Sequence, residues 1–299
     1  MAPMAESQRA TTWEEFRDLR ERMHSPESEA HWGAFAPRPT DVIISPYAKS
    51  GTTWLQQIVH GLRTRGDMDF DDISRVIPWI ETALDLGLDL DADQRGEPRA
   101  FKSHLSAHRV PPGARYIVSL RDPKDAFVSF YRFMEGWWFE AGTIDMETVA
   151  HRVYFLRERA TDYWTHLLSW WPRRDDPDVL LLSFEGMRAD LEGVVIRVAQ
   201  FIGVPLDQAL LDLVVGQSSF EFMRAHGDRF DDALIRRLTE ERAGLPPGGD
   251  SSKVREGAVG SHRAELSAAL SAEMDAIWSD VIEPELGFAT YAELAAALP

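Results

Sequence analysis

The apolar run at residues 42–44 passes through Ser45-Pro46-Tyr47-Ala48-Lys49-Ser50-Gly51-Thr52-Thr53-Trp54 into a helical stretch at 55–63. This strand–loop–helix sets the tightest constraint on the fold. A loop that opens a helix presents unpaired backbone N–H groups and the positive end of the helix dipole, which together make an anion site. Gly51 lets the backbone approach an anion closely. Lys49 adds a point charge, and Ser50, Thr52 and Thr53 add hydroxyl donors. Trp54 offers a flat face to a base. The segment is suited to a phosphate-bearing nucleotide. It is not the usual triphosphate loop, G-x-x-x-x-G-K-[ST], because no glycine stands upstream of Lys49.

Apolar strand-like runs alternate with helical patterns along the rest of the chain. Strands are expected at 41–45, 100–104, 115–120 and 179–184. Helices are expected at 12–22, 52–64, 81–90, 124–133, 146–171, 191–202, 207–215 and 265–283. Such alternation predicts an α/β fold with a central parallel sheet flanked by helices on both faces. A single domain over 1–299 is expected, with a loose start at 1–10. Residues 225–260 hold Pro246-Pro247-Gly248-Gly249 and many charges. They read as a mobile loop over the active site.

Two further clusters carry chemistry. Arg121 follows the strand at 115–120, at the carboxyl edge where open sheets bind ligands, and Ser129 lies two turns into the next helix. Arg121 can fork onto a phosphate and Ser129 can donate a hydroxyl bond. Lys102 and His104 lie two residues apart, on one face of an extended strand. A neutral imidazole there can take a proton near neutral pH. His108 is a competitor for that role.

The loop at 47–54 resembles the 5′-phosphosulfate loop of the cytosolic sulfotransferase family, Tyr-Pro-Lys-Ser-Gly-Thr-Thr-Trp, with Ala48 in place of proline. Arg121-Asp122-Pro123-Lys124-Asp125, followed by Val128-Ser129, is similar to the family's 3′-phosphate motif, with Asp122 in place of asparagine. Lys102-Ser103-His104-Leu105 is similar to Lys-Thr-His-Leu-Pro, with Ser106 in place of proline. Near the C-terminus, Arg255, Gly257 and Gly260 match Arg-Lys-Gly-x-x-Gly-Asp-Trp-Lys. Glu256 replaces its lysine, and Ser261-His262 replace Asp-Trp. Ser218-Ser219-Phe220 resembles Thr-Ser-Phe on the adenine side, and Phe184 aligns with the adenine-side tyrosine.

The resemblance spans about residues 41–270 and implies the P-loop-NTPase-like sulfotransferase fold. It implies 3′-phosphoadenosine 5′-phosphosulfate (PAPS) as co-substrate, adenosine 3′,5′-bisphosphate (PAP) as product, and no metal. His104 would be the base. Lys49 and Lys102 would stabilise charge on the transferring group, and Arg121, Ser129 and Arg255, with the Gly257 N–H, would hold the 3′-phosphate. Phe220 opposite Trp54 would sandwich the base. Trp79 aligns with an aromatic acceptor wall, and Tyr47, Phe139 and the Trp137-Trp138 pair are candidates to extend it toward a small alcohol or phenol. A nucleoside-triphosphate kinase would need the G-x-x-x-x-G-K order, which is absent. A non-catalytic nucleotide-binding homologue would not need Lys49, Lys102 and His104. The family's dimer motif maps onto Arg263, Ser267, Ala268 and Ala272, so it is degraded. Monomer and homodimer both stay open.

Composition narrows the partners. The 299 residues carry a net charge of −17. That argues against a nucleic-acid backbone, though a basic pocket can sit on an acidic surface. No cysteine is present, which rules out disulfides, thiolate metal sites and a cysteine nucleophile. No apolar run reaches about 18 residues, so no membrane span is expected. The N-terminus lacks a basic-then-apolar pattern, and a cytoplasmic protein is the simplest reading.

Overall fold

The computed structural model describes residues 8–155, 162–251 and 259–298. Its centre is four parallel strands, β1 (Val42–Ile44), β2 (Ala100–Lys102), β3 (Arg115–Leu120) and β4 (Val179–Ser183), in the order β2-β1-β3-β4. Ile43 pairs with Phe101 on one side and Tyr116 on the other, and Val118 pairs with Leu181.

Successive side chains on a strand go to opposite faces. Val42, Ile44, Ile117 and Leu182 enter one core, against the helices Thr52–Thr64, Leu191–Ile202 and Gln208–Gln217. Ile43, Phe101, Tyr116, Val118 and Leu181 enter a second, aromatic-rich core against the helices Pro123–Trp137 and Tyr163–Trp170. Both faces are covered, which is why the middles of the strands are apolar on both sides, with Lys102, Arg115 and Ser183 at strand ends and Ser119 turned under the loop.

The chain leaves β1 toward β2 but leaves β3 toward β4. The topological switch therefore lies between β1 and β3, and the crevice opens at their carboxyl ends. The loop 45–51 and Arg121 both emerge there.

Several elements match their expected bounds, including Thr52–Thr64 and β3. Thr12 caps the helix Trp13–Arg20 with Glu15 as its reciprocal partner, the expected capping box. Others differ. Residues 81–90 form no helix. A 3-10 turn, Ile80–Thr82, gives way to turns, and Gly87 takes φ 65°. The carboxylate of Asp85 there bonds the Ser25 amide and the Ser28 hydroxyl, and pairs with Arg242. Within 146–171, the helix Met146–Val149 passes into a π turn, Ala150–Tyr154, before Tyr163–Trp170. Residues 265–283 are broken at Leu266 and Ser267, where Ser267 caps a new helix, Ala268–Ile277.

The expected loop at 225–260 is also corrected. It holds a 3-10 turn, Gly227–Arg229, and an eleven-residue helix, Ala233–Ala243, which buries Ile235, Thr239 and Ala243. Of its charges, Glu240 is buried too and accepts from the Gly249 amide, while Arg237, Glu241 and Arg242 are exposed. Of the expected loose start at 1–10, residues 1–7 lie outside the described residues, and Ala10 is held by bonds to Trp138 O and Glu140 N and by pairing with Phe139. Among the described residues, no helix is long and apolar enough to cross a membrane.

Candidate active site

A cavity of about 380 Å³ opens at the crevice. The loop after β1 forms one wall. Ser50 N donates to Tyr47 O and closes a turn in which Lys49 takes a left-handed backbone, φ 67°. Gly51 then starts the helix Thr52–Thr64 at φ 99° with no side-chain cap on its N-terminus. A Cβ at Gly51 would lie 3.2 Å from both the Phe184 ring and Ser119 Oγ, so only glycine fits. Ser119 Oγ donates to Ser50 O, and Arg121 Nη1 donates to Lys49 O at 2.9 Å. Strand β3 thus holds the loop from below. The uncapped helix N-terminus faces the cavity through Gly51, Thr52, Thr53 and Trp54.

Two orphaned polar atoms mark the same wall. Thr52 Oγ1 and Ser218 Oγ are buried with no hydrogen-bond partner among the described residues, and both residues line the cavity. A buried hydroxyl without a partner costs about 1–3 kcal/mol, which a ligand acceptor would offset. A nucleotide with oxygens at Thr52 and a base at Ser218 suits these donors.

Arg121 is almost fully buried, and its guanidinium lies 4.4 Å over the Phe184 ring. Burial pushes its pKa below the ordinary arginine value, and Asp125 and Glu185 oppose that shift. Ser129 and Arg132 line the cavity from the helix Pro123–Trp137, three residues apart and so on one face. Arg132 Nη1 pairs with Glu135 and its Nε with Glu265. Trp54 donates its indole N–H to Ser218 O at 2.7 Å. Trp54, Phe184 and Phe220 all line this end.

Lys102 and His104 both reach the cavity from the end of β2. His104 Nδ1 lies 2.8 Å from Pro46 O. A carbonyl only accepts, so the neutral ring carries its proton on Nδ1 and its lone pair on Nε2. The His104 amide donates to Glu81 Oε1 at 2.8 Å, and the ring meets Trp79 edge-on at 5.2 Å. Burial raises the Glu81 carboxyl above its ordinary value. Lys102 Nζ pairs with Asp232 Oδ2 at 3.0 Å and lies 4.0 Å over the Trp79 ring. Lys49 Nζ lies 4.5 Å over the Phe133 ring. His108 is exposed, bonded to Ser106 Oγ and off the cavity wall.

Three residues assigned to the site from sequence do not line the cavity. Tyr47 does not line the cavity. Its ring packs on Tyr154, Tyr163 and His166 in the core. Phe139 is fully buried against Phe16 and Tyr131. Ser50 is fully buried within the loop and off the wall, and its Oγ has no hydrogen-bond partner among the described residues. An aromatic or small polar residue next to a motif carries no signal for which side of the backbone it will take. Trp79, Trp137 and Trp138 do line the cavity. Arg255 and Gly257 lie outside the described residues.

Sequence reasoning missed other lining groups. Arg20, Met23 and His24 come from the N-terminal segment, Arg188 from beyond β4, and Asp232 and Ile235 from the start of the helix Ala233–Ala243. Arg132 was legible, since it follows Ser129 by one helical turn. Asp232 was not, because 130 residues separate it from Lys102. The cations Arg20, Lys49, Lys102, Arg121, Arg132 and Arg188 outweigh the carboxylates Asp232 and Glu265 on the wall and make a basic pocket in a chain of net charge −17.

Residues 39–285 match the family described as "Sulfotransferase domain". Sulfotransferase 1C2 of Oryctolagus cuniculus is 27% identical over 277 residues, covering 85% of this chain and 88% of that protein. Retinol dehydratase in complex with androsterone and the inactive cofactor PAP has a similar fold, with a TM-score of 0.66 at 23% identity over 87% of this chain and 84% of the other. Mouse sulfotransferase SULT7A1 complexed with PAP aligns with a TM-score of 0.66 at 18% identity, covering 92% and 94%. With the crevice at the sheet switch, the uncapped loop–helix wall and this family match together, the chain belongs to the sulfotransferase family.

Proposed function

We propose that the protein transfers a sulfuryl group from PAPS to the hydroxyl of a small aromatic or lipophilic acceptor, with His104 as general base. The observation that carries this reading is the convergence of three groups on one crevice. They are the uncapped N-terminus of Thr52–Thr64, the buried Arg121, and a His104 whose Nδ1–H is committed to Pro46 O. When bound, the donor supplies an activated sulfuryl group and a PAP leaving group.

The residues divide the work. The backbone of Gly51, Thr52 and Thr53 holds the 5′ end. Arg121 and Ser129 hold the 3′-phosphate, with Arg255 and Gly257 added by resemblance. Trp54, Phe184, Ser218 and Phe220 surround the adenine. Lys49 and Lys102 meet the charge that develops on the transferring group, as cations do in phosphoryl transfer. His104 Nε2 takes the acceptor proton. Trp79, Trp137 and Trp138 offer apolar walls to the acceptor. The androsterone bound in retinol dehydratase agrees with such an acceptor site.

Thermal-shift titration with PAP against ATP and Mg²⁺ tests the reading. PAP at ~100 times its Kd stabilises the fold by about 2.7 kcal/mol, several degrees in Tm. A shift with PAP alone supports the donor site and leads to an acceptor screen with PAPS. A shift with ATP alone overturns it.

A further inference from the structure

The side chains of Lys102 and Asp232 are 1% and 4% exposed, and Nζ meets Oδ2 at 3.0 Å. A buried ammonium loses its hydration, and burial alone drives it toward the neutral amine. A neutral amine cannot stabilise a sulfuryl oxygen. Arginine would avoid the problem, and the chain strongly prefers it. Only four of its 32 basic side chains are lysines. A lysine kept at 102 therefore needs a counter-charge.

Asp232 is built into place. It takes a left-handed backbone, φ 54°, just before the helix Ala233–Ala243. Its Oδ1 accepts from Ser74 Oγ at 3.1 Å. Asp72 bonds the Ser74 amide through one oxygen and the Leu234 amide through the other. Both sides of Asp232 are thus pinned to one helix start. Lys102 is fixed equally well, since its amide donates to Pro78 O at 2.8 Å. Charged or titratable groups near the Lys102 ammonium among the described residues include Glu81, which burial pushes toward the neutral acid, His104 two residues on, and Lys49 on the same cavity. Lys49 is a like charge, so it works against the ammonium. Asp232 is the carboxylate that bonds it.

We infer that Asp232 is a positioning residue for the transfer: its carboxylate keeps the Lys102 ammonium charged and fixed in a desolvated wall beside His104. The inference rests on the sulfotransferase reading above. An ammonium has three donors, so the pair with Asp232 does not consume its capacity for sulfuryl oxygens.

With four lysines, ¹³Cε-lysine NMR reads Lys102 directly once Lys102→Gln assigns its signal. In the intact protein, Lys102 titrates near or above the ordinary lysine range at about 10. In Asp232→Asn it titrates at least about one unit lower. Asparagine tolerates the left-handed backbone, so the loop keeps its shape. Turnover follows the charge. Between pH 7 and 10, kcat/KM of Asp232→Asn falls about tenfold or more, while the parent falls by no more than about twofold. An unmoved Lys102 titration in Asp232→Asn overturns the inference, and so does a parent Lys102 that deprotonates below pH 8. Ser74→Ala, which frees Oδ1, gives a smaller downward shift and serves if Asp232→Asn does not fold. A parent protein that binds no PAP sinks the sulfotransferase reading and this inference together. PAP binding with an unmoved Lys102 sinks only the role of Asp232.

Discussion

Replacing His104 with asparagine separates the base from its support. The ring holds Pro46 O through Nδ1 at 2.8 Å, and the asparagine amide places an N–H donor near the same carbonyl. The bond from the residue 104 amide to Glu81 is a backbone contact and stays. What disappears is Nε2, the lone pair proposed to take the acceptor proton. A general base contributes about 10²–10⁴-fold, or roughly 2.7–5.4 kcal/mol at 1.36 kcal/mol per tenfold. The expected variant therefore binds PAP within about twofold of the parent, keeps its urea midpoint and loses at least about 100-fold in kcat. It also loses the acid limb of the pH–rate profile. If the substitution orphans Pro46 O instead, stability falls by about 1–3 kcal/mol and the midpoint reports it. His108→Asn is the control. Its ring is exposed and off the cavity, so turnover should change less than about twofold. Retention of more than a tenth of kcat in His104→Asn would remove that residue from the base role.

The other expectations concern binding and stability. Gly51→Ala forces an alanine to φ 99° with its Cβ 3.2 Å from the Phe184 ring and Ser119 Oγ. It should cost about 1–2 kcal/mol in urea unfolding and weaken PAP binding, and unchanged values of both refute the close-approach argument. Burial pushes Asp125 up, but the His262 and Gly260 amides and the His262 ring outweigh it and hold the carboxyl below its usual range. Its stabilisation is therefore full above about pH 4 and fades as pH falls through the lowered value. Urea midpoints of the parent and Asp125→Asn should converge below pH 4, and a pH-independent gap refutes this. Burial depresses His60 and His166 to about 4. Unfolded histidines protonate near 6.5, so each removes up to about 1.4 kcal/mol per pH unit between 6.5 and 4. His166→Gln should flatten part of that slope in unfolding from pH 7 to pH 5. Trp79→Ala should raise acceptor KM with PAP affinity unchanged, and a loss confined to PAP binding would move Trp79 out of the acceptor wall.

The frame of the fold was legible because burial writes itself into local sequence. The runs at 42–44, 115–120 and 179–183 are apolar on both faces, and small or charged turn residues bracket them. The loop at Gly51 was legible because a positive φ beside a helix start demands that residue. Tyr47 and Phe139 went astray because a ring reads the same whether it fills a core or a cavity. The helix Ala233–Ala243 was masked by its arginines and glutamates, which outnumber its buried positions. Asp232 gives no local sign at all. Its significance comes from Lys102, which the fold brings to it across the sheet end.

The cavity is assembled from two unlike sources. The end proposed for the nucleotide is bolted to the carboxyl ends of β1, β3 and β4, through the 49–54 loop, Arg121 and Phe184. Its other end borrows Arg20, Met23 and His24 from the N-terminal segment and Ile235 from the helix Ala233–Ala243, none of them on the sheet. Substitutions at those four positions can remodel the pocket's shape and polarity while the strand registers and the loop at Gly51 stay as they are. The scaffold thus acts as a fixed socket with an exchangeable rim, and under the proposed function a library confined to residues 20, 23, 24 and 235 should change acceptor preference.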